Sequence, residues 1–196
     1  MNFILALLAA AKSIGMAAGI VTAGKSDVII VQPRIIIAPR EIRLSCVLSN
    51  AWPADLKKLA RTGTDIILYL IIETRRNPGN TVVGRVTVER RLQYDAVARS
   101  YIVISNPPAD TADFGALDSA LIASVTFDNV PAMPKASLDA GAEYSFVIYG
   151  VLGTTKVEAL DNSGIDLMYF WNYRRPMAET ERFRGSVLKE GKAASR

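Results

Sequence analysis

The sequence predicts a mainly β protein: an immunoglobulin-like antiparallel β-sandwich with two short helices packed on it. Three observations predict this. Apolar residues alternate with polar ones along separate runs, among them 41–49 and 82–94, which is the period of a half-buried strand. Turn residues punctuate those runs, as in Asn77-Pro78-Gly79-Asn80. Leu138, Gly141 and Tyr144 precede alternating Phe146 and Ile148, the spacing of a tyrosine corner, in which the ring enters the core and the hydroxyl reaches back to the connection between sheets. With 196 residues, half of them hydrophobic and 21% charged, the chain has apolar material for one core of ordinary size.

The elements follow in order. Residues 28–31 and 35–37 are short β-branched runs broken by Gln32-Pro33-Arg34, which predicts an edge strand with a proline kink. Ile42, Leu44, Cys46 and Leu48 share one face of a strand over 41–49. Residues 52–63 carry proline early, Asp55 in the first turn, basic residues later and Gly63 at the end, so a short helix is expected. Residues 65–76 are apolar on both faces and predict a central strand covered on both sides. The turn at 77–80 returns the chain as a strand with Val82, Val86, Val88, Leu92 and Tyr94 inward and Arg85, Thr87, Glu89, Arg91 and Gln93 outward. Arg90 falls in the inward phase, which predicts a bulge there in preference to a snorkelling side chain.

Residues 101–104 make a third member of the meander. Phe114, Leu117, Leu121, Ile122 and Val125 keep helical spacing, so residues 111–125 are expected as a second amphipathic helix capped by Asp113. Residues 130–134 read as a rigid proline connector, 165–173 as a last strand, and 176–196 as a polar C-terminal tail. The sandwich domain is therefore expected over 24–175.

Composition excludes much chemistry. There is no histidine, which removes imidazole general acid–base catalysis and histidine metal sites, and the single Cys46 has no internal disulfide partner. Its place on an apolar strand face predicts a buried structural thiol. Lys and Arg outnumber Asp and Glu by 23 to 19, mostly as short pairs such as Arg75-Arg76, which gives no basis for a nucleic-acid partner.

The N-terminus points to export. Residues 3–11 are a nine-residue apolar run, and small residues up to Ala23 suit a signal-peptidase site, so 1–23 is expected as a signal peptide. The alternative is an uncleaved signal anchor holding the protein at the inner membrane, which would be its only membrane contact. Lys12 weighs against a permanent anchor, since a lysine near the middle of a spanning helix costs about 2.5 to 3.5 kcal/mol. No lysine or arginine precedes the apolar run, and there is no lipobox.

The runs IRLSCVLSNAWPADLKKLARTGTDIILYLIIETRR, RLQYDAVARSYIV and SLDAGAEYSFVIYG resemble a family of exported bacterial proteins known only as a domain of unknown function. The resemblance covers 28–174. It implies a periplasmic β-sandwich of the cell envelope, and it carries over no functional residue. The basic-poor start and the Val151-Leu152-Gly153 stretch depart from the family's pattern.

Few residues look chemical. Asp161-Asn162-Ser163-Gly164-Ile165-Asp166 faintly resembles a calcium loop but lacks the distal glutamate, so a hairpin turn is expected and no metal or other cofactor. Ser186 and Lys189 match Ser-x-x-Lys without its companion motifs. Glu73, Glu89 and Asp95 are carboxylates whose spacing predicts no pairing. The candidate binding segment is Tyr169, Phe170, Trp171, Tyr173, Arg174 and Arg175, because interfaces favour Trp, Tyr and Arg. It reads either as a sheet edge binding a protein or glycan, or as a final core strand with Leu167, Tyr169, Trp171 and Tyr173 inward. The expectation is a non-enzymatic envelope protein acting as an interaction or assembly module with another envelope protein. The alternative is a carrier with a pocket for an apolar ligand or glycan between the sheet and the helix around 114–125.

Overall fold

A computed structural model describes residues 27–107, 109–156 and 164–190. The expected signal segment and the Asp161-Asn162-Ser163 part of the calcium-like loop lie outside the described residues. In chain order the elements are β1 (Ile29–Ile37), β2 (Glu41–Ser49), α1 (Ala54–Arg61), β3 (Ile66–Asn77), β4 (Thr81–Asp95), β5 (Ser100–Asn106), β6 (Asp110–Phe114), α2 (Leu117–Val125) and β7 (Thr126–Pro134). There follow β8 (Glu143–Leu152), β9 (Thr154–Lys156), β10 (Gly164–Asp166), β11 (Met177–Glu179), β12 (Phe183–Arg184) and α3 (Gly185–Glu190).

The chain is a mainly β, antiparallel sandwich. A small sheet in the order β1-β2-β7 packs on a large one in the order β11-β8-β3-β4-β5-β6, with β12 also paired to β8. The alternation read in β2 is what joins them: Ile42, Leu44, Cys46 and Leu48 are all buried, in one core with Leu68, Leu70 and Ile72 of β3 and Phe146 and Ile148 of β8. Leu56 and Leu59 of α1 and Leu121 and Val125 of α2 complete that core.

The tyrosine corner is present. The connection from β7 to β8 crosses from the small sheet to the large one, and Tyr144 is buried with its hydroxyl accepting a hydrogen bond from the Asp139 backbone N–H at 2.8 Å. Asp139 also accepts from Gly141 N at 3.0 Å, which fixes the turn, and Leu138 is buried beside it. Tyr144→Phe should therefore cost about 1 kcal/mol in a denaturant melt, because it leaves the Asp139 N–H without its partner. An unchanged midpoint would mean the bond holds nothing.

Several local expectations are corrected. Bulges do occur, but not at Arg90. In β4 the extra residue is Val83: Thr74 pairs with Gly84 and Arg75 with Val82, so Val82 lands on the outer face and is exposed. Arg90 keeps regular pairing with Leu68 and Ser105, and it points inward, donating to the Ala123 carbonyl at 2.8 Å over the Phe127 ring. A guanidinium can occupy the core margin because it meets a helix C-terminal carbonyl and an aromatic face together. The kinked edge strand expected around Pro33 is present as β1, at the edge of the small sheet, with its pairing interrupted between Val31 and Arg34 and Gln32 at a positive φ of 53°. Residues 110–114 form β6, so the helix begins only at Leu117 and Asp113 does not cap it. The proline connector is part of β7, which buries Val130, Ala132 and Met133.

The last strand and the tail differ most. Residues 167–171 form a 3-10 turn, not a strand, and 177–190 belong to the fold as β11, β12 and α3. Gly150 N donates to Pro176 O at 3.0 Å, and Gly185 N to Ala142 O at 2.8 Å, so this segment lies along β8 through backbone bonds that a polar sequence can make as well as an apolar one.

Candidate contact surfaces

The six residues of the predicted binding segment are divided by the 3-10 turn. Three residues per turn replace the two of a strand, so Leu167, Met168 and Trp171 are buried, where alternation placed Leu167, Tyr169, Trp171 and Tyr173. Trp171 belongs to the core: its indole N–H donates to the Ala51 carbonyl at 2.9 Å. Tyr169 and Phe170 are half-buried and meet edge to face at 5.6 Å. Asn172 and Tyr173 both take positive φ, 51° and 57°, which turns the chain outward. Tyr173, Arg174 and Arg175 are then exposed, Tyr173 by 65%. Arg174 pairs with Asp27 at 3.3 Å, at the edge of a cleft of about 220 Å³ lined also by Val28, Pro176 and Met177.

A second surface was not anticipated. The small sheet and the core helices pack on the inner face of the large sheet, and the outer face of β4-β3-β8 bears partly exposed Ile67, Tyr69 and Ile71 from β3 beside Tyr149 and Val151 from β8. Residues 65–76 were expected to be covered on both sides. Next along β3 stands Glu73, only 6% exposed yet ionised. Arg75 donates to it at 2.8 Å, Arg85 pairs with its other oxygen, and Arg75 also donates to the Tyr149 hydroxyl at 2.6 Å. These hydrogen bonds, from Arg75 first and then Arg85, hold the Glu73 carboxyl below its ordinary value against the opposing effect of burial. The same glutamate raises Arg75. The signal for this cluster lay in the outward phase of the central strand, where Ile67, Tyr69 and Ile71 give way to Glu73 and Arg75.

A carboxylate whose pKa is depressed on folding adds stability above its unfolded value and loses it as pH falls through the folded one. Glu73→Gln should therefore lower the melting midpoint at neutral pH. The gap from the natural protein should begin to close below about pH 4, where the unfolded carboxylate takes up its proton, and vanish only once the folded carboxyl is protonated as well. A gap independent of pH would show that the charge does not matter.

An open groove of about 510 Å³ lies between α1 and α2, lined by Leu48, Trp52, Lys57, Leu121, Ile122 and Val125. It is near the expected carrier pocket but opens to solvent at the helix ends, and Ile122 is 67% exposed. Trp52 donates its indole N–H to Leu121 O at 3.0 Å, which fixes one wall.

The remaining chemical candidates resolve simply. Burial, with the charge of Asp128 adding, pushes the Cys46 thiol up to about 12, so it stays protonated and unreactive at neutral pH. Glu89 pairs with Arg91 at 3.0 Å, and Asp95 accepts from Val97 N and Ala98 N, so neither forms a carboxylate pair with Glu73. Among the described residues no three His, Cys, Asp or Glu side chains are placed to hold a metal ion, and no helix is long and apolar enough to cross a membrane. Ser186 and Lys189 lie in α3, where the Lys189 carbonyl accepts from Lys135 Nζ at 3.2 Å. Comparison with family models, curated protein sequences and solved structures gave no match.

Proposed function

We propose that the protein is an exported, non-enzymatic domain of the cell envelope that works by contact, as an interaction or assembly module for another envelope protein. The observation that carries this reading is the outer face of the large sheet. Ile67, Tyr69, Ile71, Tyr149 and Val151 form a partly exposed apolar and aromatic strip, and the Glu73–Arg75–Arg85 cluster at one end holds its charges in fixed positions. Apolar centres with aromatic and arginine margins suit protein recognition, and charges already ordered by mutual bonds lose little freedom on binding. The apolar N-terminal segment and the resemblance to an exported family support the compartment.

Ile71→Lys tests it. The side chain is on the outer face, so the melting midpoint should stay near that of the natural protein while recovery of the partner from envelope extracts falls about tenfold or more. Unchanged recovery would refute a role for this face. The groove beside Ile122 favours a second reading, a carrier of an apolar ligand, and Ile122→Glu would abolish such binding without touching the sheet face.

A further inference from the structure

We propose that the end of the sandwich around Asp27 is a membrane-facing surface that rests on phospholipid headgroups, with Arg174 and Arg175 on phosphates and Tyr173 and Met177 at the interface. The inference goes beyond a protein partner on the sheet face, which this end adjoins where Met177 pairs with Tyr149.

Exposed apolar side chains stand beside Asp27. Tyr173 and Met177 are 65% and 62% exposed, and the cleft beside them is lined by Asp27 and Val28. Asn50 donates to the Asp27 carbonyl at 3.4 Å and also lines the groove beneath Ile122, while Ile29, 48% exposed, begins β1 at the same place. Met177 thus lines the cleft where the chain enters the fold, and Tyr173 stands between Asn172 and Arg174, which line it too.

Residues 1–26 precede Asp27 and contain the apolar run 3–11 followed by a Gly/Ala-rich stretch to Ala23, with Lys25 just before Asp27. Only three residues, Gly24, Lys25 and Ser26, separate that apolar sequence from Asp27, a reach of about 10 Å when extended. With the apolar segment in a bilayer, whether anchored or before cleavage, the Asp27 end of the domain is held against the headgroups. Its composition suits that place: a tyrosine and arginines at the interface and apolar side chains beneath them. Asp27 engages Arg174, while Arg175 shows no ion-pair partner among the described residues.

The test uses the full chain, with its N-terminal segment, in vesicles of phosphatidylethanolamine and phosphatidylglycerol carrying a nitroxide-labelled lipid. A fluorophore is attached at Tyr173→Cys or, as reference, at Thr81→Cys in the far β3–β4 hairpin; burial shields Cys46 from the label. The lipid should quench the label at 173 at least about twofold more than the one at 81, and Arg174→Glu with Arg175→Glu should remove most of the difference at an unchanged melting midpoint. Equal quenching at both positions while the chain floats with the vesicles would overturn the proposal and leave this end to a protein partner. A chain that does not float would overturn it as well, and neither result would bear on Ile71.

Discussion

Replacing Trp171 by alanine should lower stability by about 3–5 kcal/mol, the cost of emptying a large buried aromatic site. The ring closes three parts of the chain on one another. Its edge lies 3.4 Å from where a Cβ on Gly150 would stand, its N–H holds the Ala51 carbonyl at the end of β2, and the turn that carries it leads into β11. Gly150 explains how the ring fits: a Cβ there would meet Leu48 at 2.6 Å and Pro176 at 2.8 Å, so only glycine lets the small sheet and the C-terminal segment close over β8. Trp171→Phe keeps most of the apolar contact and loses only the hydrogen bond, so it should cost about 1–2 kcal/mol. Chemical denaturation of the two variants separates packing from bonding. Equal losses would show that the bond dominates, and a small loss in both would place the ring outside the core.

Gly185→Ala should destabilise by about 1–3 kcal/mol and detach the C-terminal helix first. A Cβ at this position would come 1.9 Å from the Asp139 carbonyl oxygen, and backbone cannot move aside as a side-chain tip can. The same Asp139 supplies the N–H bound by Tyr144, and Gly185 N and Ser186 N donate to Ala142 O and Ala140 O across the same loop. The methyl group therefore strikes the fastening of the sheet crossover and the docking of α3 together. Limited proteolysis should cut near β12 and α3 sooner than in the natural protein, before β2 or β3 lose amide protection. Simultaneous loss of protection throughout would contradict a separately docked segment.

The parts of the fold legible in the sequence are those where one physical signal dominates. Alternation over Ile42, Leu44, Cys46 and Leu48 gave the bounds of β2, the punctuation by Pro53, Asp55 and Gly63 placed α1, and Leu138, Gly141 and Tyr144 revealed the corner. Elsewhere two signals compete. Leu167, Tyr169 and Trp171 satisfy a period of two, but Leu167, Met168 and Trp171 satisfy a 3-10 turn equally well, and tertiary packing on Gly150 decides. Phe114 fits the helical spacing of α2 although it ends β6, since a five-residue strand leaves too few residues for its own period. β11 and β12 are short and join through backbone hydrogen bonds, with Phe183 packed on the core, so their side chains carried too few alternations to read. The outer-face cluster was hidden for a related reason: the sequence places Glu73 and Arg75 two apart, but only the β3–β4 register brings Arg85 across, and only β8 brings Tyr149.

Contact through the outer face of the large sheet can be read in living cells with a photo-crosslinking residue at Ile71 and mass spectrometry of the adducts. Position 71 should give a discrete adduct with one envelope protein, and the exposed Val97 in the β4–β5 turn none. No adduct at 71, or the same adducts at both positions, would contradict contact through this face.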